Sequence, residues 1–228
     1  MIEVPDKDLI QRLKTKKIYS LEGNIGAGKT TILKLIAQSF DSVQFVEEPV
    51  NQWTNLNGCN LLEKFYSNPG RWGYSFEFYS MLTKLKNLIM AAKTDKPIIV
   101  IERSLISNKA FIDASHELGK LDSMEYAMLI NTYNFYLENV FPVLTGIIYI
   151  NTPVDVCVKR IAKRNRDGEC EIDKEYLKLL KQKFDDLSKE YKEKCHVIDG
   201  LYDLREDVNQ ISNDLKVFMN PNIKAIKN

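Results

Sequence analysis

The sequence predicts an α/β fold in which a five-stranded parallel β-sheet carries helices on both faces. Segments typical of strands alternate along the chain with segments of helical periodicity, and a repeated β-then-α order favours a parallel sheet. Residues 97–101 form a continuous apolar run, as expected of a central strand buried on both faces. A glycine-rich loop at residues 23–30 separates the first strand from the helix that follows it.

The composition suits one globular domain. The chain has 228 residues, of which 44% are hydrophobic and 28% are charged. Its net charge is only +1, so we expect no nucleic-acid partner and no membrane partner. We predict an N-terminal arm over residues 1–16, a single domain over 17–219 and a C-terminal tail over 220–228.

Cysteine usage and the N-terminus predict a cytoplasmic protein. No signal-like apolar segment and no apolar run of about 18 residues is visible in the sequence. The four cysteines stand far apart without metal-site spacing, so we expect reduced thiols and no disulfide: Cys59, Cys157, Cys170 and Cys195.

The glycine-rich loop matches the pattern G-x-x-x-x-G-K-[ST] at every fixed position, between a strand predicted at residues 17–21 and a helix predicted at 30–40. In this context backbone N–H groups and a helix N-terminus point at an anion. Lys29 adds a positive charge, and Thr30 offers a hydroxyl to Mg²⁺. The loop residues predicted to hold a nucleoside triphosphate are Gly23, Asn24, Ile25, Gly26, Ala27, Gly28, Lys29, Thr30 and Thr31.

Two glutamates end the second predicted strand, residues 43–47, just before Pro49. Side chains alternate across a strand, so Glu47 and Glu48 are expected to face different ways. Ligands of open α/β sheets bind beyond the carboxyl ends of the strands, where one of the two glutamates would lie. A solvated loop charge is the alternative for either of them.

A short helix at residues 58–68, ended by Pro69, and a long helix at 71–92 follow. The long helix carries an aromatic stripe that is typical of a core. Glu77 and Lys84 are seven residues apart in it and therefore lie nearly on one face.

The apolar strand at residues 97–101 places Glu102, Arg103 and Ser104 at its tip. Next to a phosphate-binding loop, Glu102 can help Thr30 to hold Mg²⁺, and Arg103 can grip a phosphate or a hydroxyl group. An ordinary surface ion pair is the alternative.

The remaining chain continues the alternation, with helices at residues 104–118 and 122–139 and a strand at 146–150. Thr152 and Pro153 have the order of a helix cap followed by a first-turn proline. The last elements are a helix at 173–191, a strand at 196–198 and a helix at 204–218.

The end of the helix after Pro153 is rich in basic residues: Arg160, Lys163, Arg164 and Arg166. The cluster is either a solvated helix end, favoured by the helix dipole, or a cationic flap that closes over transferring phosphates.

These residues together resemble the deoxynucleoside kinase family over residues 18–218. The resemblance rests on the phosphate-binding loop, Glu48-Pro49-Val50 with Trp53, Tyr66 with residues 69–72, Glu102-Arg103-Ser104, and residues 160–169. It implies a P-loop nucleotide-kinase fold with an arginine-rich lid, ATP or another nucleoside triphosphate as donor, Mg²⁺ as cofactor, a deoxynucleoside as substrate and a homodimer. The reaction implied is phosphorylation of the deoxynucleoside 5′-hydroxyl.

The resemblance also implies roles for single residues. Glu48 would be the base for the 5′-hydroxyl with Arg103 as its partner, and Tyr66 with Glu169 would hold the sugar 3′-hydroxyl. Residues 199–204 would line the base of the donor. The implied catalytic residues are Glu48, Arg103, Lys29, Arg164 and Arg166. The implied donor contacts beyond the loop are Arg160, Arg164 and Asp203. The implied nucleoside contacts are Glu48, Trp53, Tyr66, Phe76, Glu77, Lys84, Arg103, Asn108 and Glu169.

Base preference cannot be carried over, because Glu77 stands where the family has a glutamine, and Lys84 and Asn108 stand where the deoxycytidine and deoxyguanosine enzymes have an arginine and an aspartate. An ionised Glu77 only accepts hydrogen bonds and would match the two adjacent donors of guanine. Alternatively, Glu77 pairs with Lys84 in a neutral pocket, or burial keeps it protonated so that it imitates glutamine.

Other functions remain as alternatives. A nucleoside monophosphate kinase shares the fold, but Glu48-Pro49-Val50 and Glu102-Arg103-Ser104 argue against it. A GTPase-like switch would carry an N-K-x-D signature, whereas Asn108 and Lys109 are followed by Ala110 and Phe111. A binding-only module would be expected to lose Lys29, Glu48 or Arg103, which are all present.

Overall fold

The computed structural model describes residues 7–37, 39–166, 168–169, 172–201 and 207–219. Five strands form one sheet with the order β2-β3-β1-β4-β5, and every neighbouring pair is parallel, as predicted. All strands therefore end at the same edge of the sheet. The strands are β1 (Lys17–Gly23), β2 (Val43–Val46), β3 (Ile98–Glu102), β4 (Gly146–Asn151) and β5 (Cys195–Asp199).

Helices surround this sheet. In the described part of the chain, none of them is both long and apolar enough to cross a lipid bilayer. A short 3₁₀ helix, Lys192–Lys194, precedes β5. The α-helices are α1 (Lys7–Lys14), α2 (Lys29–Ala37), α3 (Val50–Thr54), α4 (Leu61–Ser67), α5 (Pro69–Ala91), α6 (Leu105–Glu117), α7 (Ser123–Asn139), α8 (Val154–Arg164), α9 (Lys174–Glu190) and α10 (Val208–Met219).

Each face of the sheet packs into its own apolar cluster. On β3, Ile99 and Ile101 pack with residues of α5, α6 and α7, whereas Ile98 and Val100 pack with residues of α2 and α10. All four side chains are at least nine-tenths buried. Helices on both faces thus explain why this strand is apolar at consecutive positions, and the buried centre of the sheet supports the loops at its carboxyl edge.

The junction of α4 and α5 matches the predicted stop near Pro69. The α4 helix ends at Ser67, and Pro69 is the first residue of α5, where its missing N–H costs no hydrogen bond. The Asn68 side chain accepts a hydrogen bond from the backbone N–H of Arg71 and so caps α5. The long helix therefore begins two residues earlier than expected.

The predicted cap of α8 was wrong. This helix begins at Val154, with Pro153 as the residue before it and no side-chain cap. Thr152 instead donates a hydrogen bond from Oγ1 to the backbone oxygen of Ala27, at 2.9 Å, and thereby supports the glycine-rich loop. The five-residue helix α3 was not predicted, and the start of the helix expected at residue 204 lies outside the described residues.

Candidate active site

A cavity of about 960 Å³ opens beyond the carboxyl ends of β1, β2 and β3. It collects predicted residues that are as far apart in sequence as Ile25 and Glu169. Asp203, a predicted donor contact, lies outside the described residues. The predicted residues that line the cavity are Ile25, Gly26, Gly28, Lys29, Thr30, Thr31, Glu48, Trp53, Tyr66, Phe76, Glu77, Lys84, Glu102, Arg103, Arg160, Arg164, Arg166 and Glu169.

The glycine-rich loop is held closely against its neighbours. Gly26 has φ +75°, and a Cβ at this position would lie 2.7 Å from the backbone oxygen of Cys157, so only glycine fits. The Asn24 side chain accepts from the N–H of Ile25 at 2.8 Å and donates to the backbone oxygen of Leu177 at 2.8 Å. These contacts fix the backbone of the loop before any ligand binds.

Lys29 points back into the loop. Its Nζ donates to the backbone oxygens of Gly23 at 3.2 Å and Asn24 at 2.8 Å. Burial and the positive charge of Arg103 lower the pKa of Lys29 to about 7. A polyphosphate in the cavity would supply the negative charge that this buried amine lacks.

Thr30 and Glu102 meet as the sequence predicted, since Thr30 Oγ1 donates to Glu102 Oε1 at 2.7 Å. Burial, together with the nearby charge of Glu48, raises the pKa of Glu102. A cation beside this hydroxyl and carboxylate would favour the ionised form of Glu102 and so oppose the rise of its pKa. Oxygen atoms, which both side chains offer, are the ligands that Mg²⁺ prefers. In the described chain, groups of three or more His, Cys, Asp or Glu residues suited to a metal do not occur, so other oxygens would have to come from phosphate and water.

Glu48 and Arg103 form an ion pair inside the cavity, with 3.1 Å between Oε1 and Nε. Lys84 Nζ lies 4.0 Å from the same oxygen. Burial alone would raise the pKa of Glu48, but Arg103, Lys84 and Lys29 outweigh it and hold the pKa below its usual value. Glu48 is therefore an ionised acceptor at neutral pH.

Glu47 has a different environment. Its side chain is 56% exposed and lies 3.7 Å from Lys34 Nζ, whereas the side chain of Glu48 is 17% exposed. The two neighbouring glutamates thus separate into an exposed and a sheltered carboxylate, as expected, although both follow the end of β2 at Val46 and do not belong to the strand.

Glu77 and Lys84 do not contact each other directly but are bridged by Asn108. The amide nitrogen of Asn108 donates to Glu77 Oε2 at 2.9 Å, and its amide oxygen accepts from Lys84 Nζ at 3.1 Å. Asn108 is fully buried and is not among the described residues that line the cavity, so it supports the wall from behind. Glu77 Oε1 is buried and has no hydrogen-bond partner.

Aromatic side chains form the apolar part of the cavity. Trp53 donates from Nε1 to Thr83 Oγ1 at 2.9 Å, which fixes its ring beside Phe76 at a centroid distance of 5.3 Å. Tyr66 lies on the same wall. Burial and the nearby Glu169 raise the pKa of Tyr66, so its hydroxyl stays protonated and can donate.

The basic residues near the end of α8 face the cavity. Arg164 binds both carboxylate oxygens of Glu169, at 2.9 Å and 2.7 Å, and Arg166 binds one of them at 3.0 Å. Arg160 donates to the backbone oxygens of Ala27 and Gly200, each at 2.9 Å. Arg160 therefore connects the cluster to the glycine-rich loop, while Glu169 holds Arg164 and Arg166.

Glu22 was missed by the sequence analysis. This strand residue is fully buried, and its Oε1 accepts from the N–H of Ser104 at 2.9 Å and from Ser104 Oγ at 2.7 Å. An acidic residue in an otherwise buried strand, next to the glycine-rich loop, was the signal that could have revealed it.

Comparisons with known proteins identify the family of this chain. The model of the deoxynucleoside kinase family matches residues 19–226. The probable deoxycytidine kinase of Fowlpox virus is 38% identical over 173 residues, which are 75% of this chain and 71% of the relative. Deoxycytidine kinase 2 of Gallus gallus is 32% identical over 206 residues, with 78% of this chain and 76% of the relative covered. Human mitochondrial thymidine kinase 2 is 32% identical over 177 residues, with 77% and 65% covered.

The family match covers most of the chain and includes the loop, the Glu48–Arg103 pair and the basic cluster. It sets aside the monophosphate kinase and GTPase alternatives, and it implies a nucleotide as phosphate donor. The chain belongs to the deoxynucleoside kinase family, the enzymes that phosphorylate deoxynucleosides.

Proposed function

We propose that this enzyme transfers the γ-phosphoryl group of ATP, or of another nucleoside triphosphate, to the 5′-hydroxyl of a deoxynucleoside, with Mg²⁺ as cofactor and a deoxynucleoside 5′-monophosphate as product. The observation that carries the proposal is the Glu48–Arg103 pair, 3.1 Å apart, in the same cavity as the glycine-rich loop. This arrangement offers a base for a hydroxyl beside a cradle for phosphates.

Glu48 would act first by orientation. An ionised carboxylate accepts the hydrogen bond of the 5′-hydroxyl and points the hydroxyl oxygen at the γ-phosphorus of the donor. It takes the proton as the new P–O bond forms, while the bond from the γ-phosphorus to the bridging oxygen breaks and the nucleoside diphosphate leaves. Arg103 keeps the carboxylate in place, because its own guanidinium is fixed by a 2.9 Å hydrogen bond from Nη1 to the backbone oxygen of Gly23. The acceptor site is thus tied to the phosphate-binding loop.

The donor would lie along the loop, with its phosphates on the backbone N–H groups and on Lys29. Thr30 and Glu102 would hold Mg²⁺, which neutralises negative charge on the phosphate oxygens when bound. Arg164 and Arg166 would stabilise the charge that moves with the transferred group.

The nucleoside would occupy the remaining cavity. Trp53 and Phe76 offer apolar surface to the base, and Tyr66 with Glu169 would hold the 3′-hydroxyl. The curated relatives carry names for different bases, so these names do not identify the base that this chain prefers.

A homodimer is the proposed assembly. Three large apolar side chains on α7 are exposed to solvent at helical spacing: Met124 at 70%, Met128 at 46% and Phe135 at 57%. A second copy would cover them. Sedimentation analysis should give a dimer, and Met128→Lys should shift it towards monomer if this face is the interface.

The cytoplasmic location stays a prediction from the sequence.

The test is an acceptor panel. The enzyme is incubated with ATP, Mg²⁺ and each deoxynucleoside, each deoxynucleoside 5′-monophosphate, or a 2′,5′-dideoxynucleoside. The proposal expects 5′-monophosphates from the deoxynucleosides and no product from the dideoxynucleoside, which lacks the accepting hydroxyl. Phosphorylation of the monophosphates alone would overturn it.

A further inference from the structure

Glu169 binds two arginines of the basic cluster at once. Arg164 donates from Nε and Nη2 to its two carboxylate oxygens, at 2.9 Å and 2.7 Å, and Arg166 donates from Nη1 at 3.0 Å. The side chain of Glu169 is 1% exposed, whereas those of Arg164 and Arg166 are 36% and 33% exposed. All three residues line the cavity. A sheltered carboxylate thus lies between two partly exposed arginine side chains.

The backbone after α8 holds this carboxylate in place. The N–H of Glu169 donates to the backbone oxygen of Arg166 at 3.0 Å. Gly168 has φ +78°, and a Cβ there would lie 2.9 Å from Cα of Glu63, so the loop packs closely against α4. Tyr66 lies one turn further along α4, where burial and the nearby charge of Glu169 raise its pKa. Glu169 is therefore anchored by the backbone and not only by its arginine partners.

The two arginines keep donors for a phosphate while they bind Glu169. A guanidinium group has five N–H donors, of which Arg164 uses two for the carboxylate and Arg166 uses one. Because these side chains line the cavity, their other N–H groups can bind phosphate oxygens without breaking the pairs. One carboxylate balances only one of two guanidinium charges, so a net positive charge is left to attract a phosphate.

Unrestrained arginines would stabilise a moving phosphoryl group less well. Their side chains have many rotamers, and two guanidinium groups at one place repel each other. A carboxylate between them lowers the repulsion and restrains both. Less order then has to be created during transfer, which is the basis of electrostatic stabilisation by prearranged groups.

We propose that Glu169 is a positioning residue for Arg164 and Arg166, and that it prearranges both guanidinium groups for the transferred phosphoryl group in addition to holding the sugar. One carboxylate then serves the nucleoside side and the phosphate side of the cavity. This inference rests on the proposed function, since it takes the two arginines to act on the phosphoryl group.

The test removes the sugar hydroxyl and keeps the arginines. A 2′,3′-dideoxynucleoside has the 5′-hydroxyl that accepts the phosphoryl group but lacks the 3′-hydroxyl. With donor and acceptor saturating, Glu169→Gln should lower kcat for this substrate by about 10- to 100-fold, the scale of loss when a group at the reacting centre is misplaced. Its KM for the dideoxynucleoside should change little. A wild-type kcat would overturn the inference, because a residue that only held the sugar could not affect a substrate without the hydroxyl.

Tyr66→Phe is the matched control, since it removes a hydroxyl that would hold only the sugar. Its loss of kcat/KM should be smaller for the dideoxynucleoside than for the deoxynucleoside. Glu169→Gln should instead lose kcat with both substrates. A loss that disappeared with the dideoxynucleoside in both variants would show that Glu169 is a sugar ligand only.

A double-mutant cycle needs only the ordinary deoxynucleoside, so it also decides if the wild type does not turn over the dideoxynucleoside. If Glu169 acts through Arg164, Glu169→Gln should lower kcat less in the Arg164→Ala background than in the wild type. Equal losses in both backgrounds would show that the two residues act independently and would overturn the inference. Each variant is assayed well below its unfolding transition, so that kcat describes folded enzyme.

The proposed function and this inference fail in different ways. Phosphorylation of deoxynucleosides by the wild type, with equal losses in the cycle, would leave the function standing and contradict only the positioning role of Glu169. Absence of phosphorylation for every deoxynucleoside would overturn the function itself, and the inference with it.

Discussion

Glu22 Oε1 accepts two hydrogen bonds from Ser104, one from its backbone N–H at 2.9 Å and one from its hydroxyl at 2.7 Å. Arg103, the residue directly before Ser104, has φ +61°, a conformation that is uncommon for a residue with a side chain. Its own N–H donates to the backbone oxygen of Leu21 at 3.1 Å. The end of β1 therefore holds Arg103 in the strained backbone that directs its guanidinium at Glu48.

Glu22 should act as a positioning residue for Arg103. Glu22→Ala leaves the N–H of Ser104 without its partner, so we expect a loss of about 1–3 kcal/mol in the free energy of unfolding. At temperatures well below the unfolding transition the variant is folded, so the loss of stability does not itself change kcat. If Glu22 positions Arg103, kcat should fall under these conditions, while donor affinity stays near the wild-type value. Glu22→Gln keeps an acceptor oxygen and should recover most of kcat. Equal kcat values in Glu22→Ala and the wild type would show that the role is structural only.

The basic cluster should affect turnover more than nucleoside affinity. Arg164→Ala and Arg166→Ala should each lower kcat, because a guanidinium would stabilise charge that develops during transfer. Lysine should restore little, since it replaces a two-pronged donor by one compact charge. Steady-state kinetics with the deoxynucleoside varied provide the measurement. An unchanged kcat in both alanine variants would indicate that the cluster is only a solvated helix end.

Donor binding should take up a proton at Lys29. Burial and the charge of Arg103 lower the pKa of Lys29 to about 7, so above this pH the free enzyme holds mostly the neutral amine. The phosphates favour the charged form and raise the pKa again, so donor affinity should weaken as the pH rises from about 7 to about 9. Calorimetry in buffers of different ionisation enthalpy measures the proton uptake. Lys29→Arg stays charged and should show none; the same uptake in this variant would contradict the assignment.

Local patterns were enough to predict the strands. Each of the five begins within about one residue of its expected position, because a run of apolar residues between polar boundaries reflects burial directly. Gly26 and Thr30 were predicted for a similar reason, since the phosphate-binding motif is contiguous in the sequence. The order of the strands, β2-β3-β1-β4-β5, did not follow from such patterns, because it depends on pairing between segments that are distant in the sequence.

Several contacts between distant residues, unlike that of Thr30 with Glu102, could not be predicted. Glu22 meets Ser104 across 82 positions, and Asn108 reaches Glu77 across 31, so neither contact leaves a periodic signal. Thr152 shows the opposite failure, because a correct local cap pattern was overridden by a hydrogen bond to Ala27, 125 residues away. Side-chain partners at the site are a property of the assembled fold.

The central claim is that Glu48 activates the 5′-hydroxyl, and the rate of phosphoryl transfer in Glu48→Gln compared with Glu47→Gln tests it most directly. With donor and nucleoside saturating, Glu48→Gln should transfer about 10²- to 10⁴-fold more slowly than the wild type, the usual contribution of a general base. Its donor affinity should stay unchanged, because in this proposal the carboxylate would contact the acceptor and not the triphosphate. Glu47→Gln should transfer at the wild-type rate. A wild-type rate in Glu48→Gln together with a slow Glu47→Gln would contradict the account.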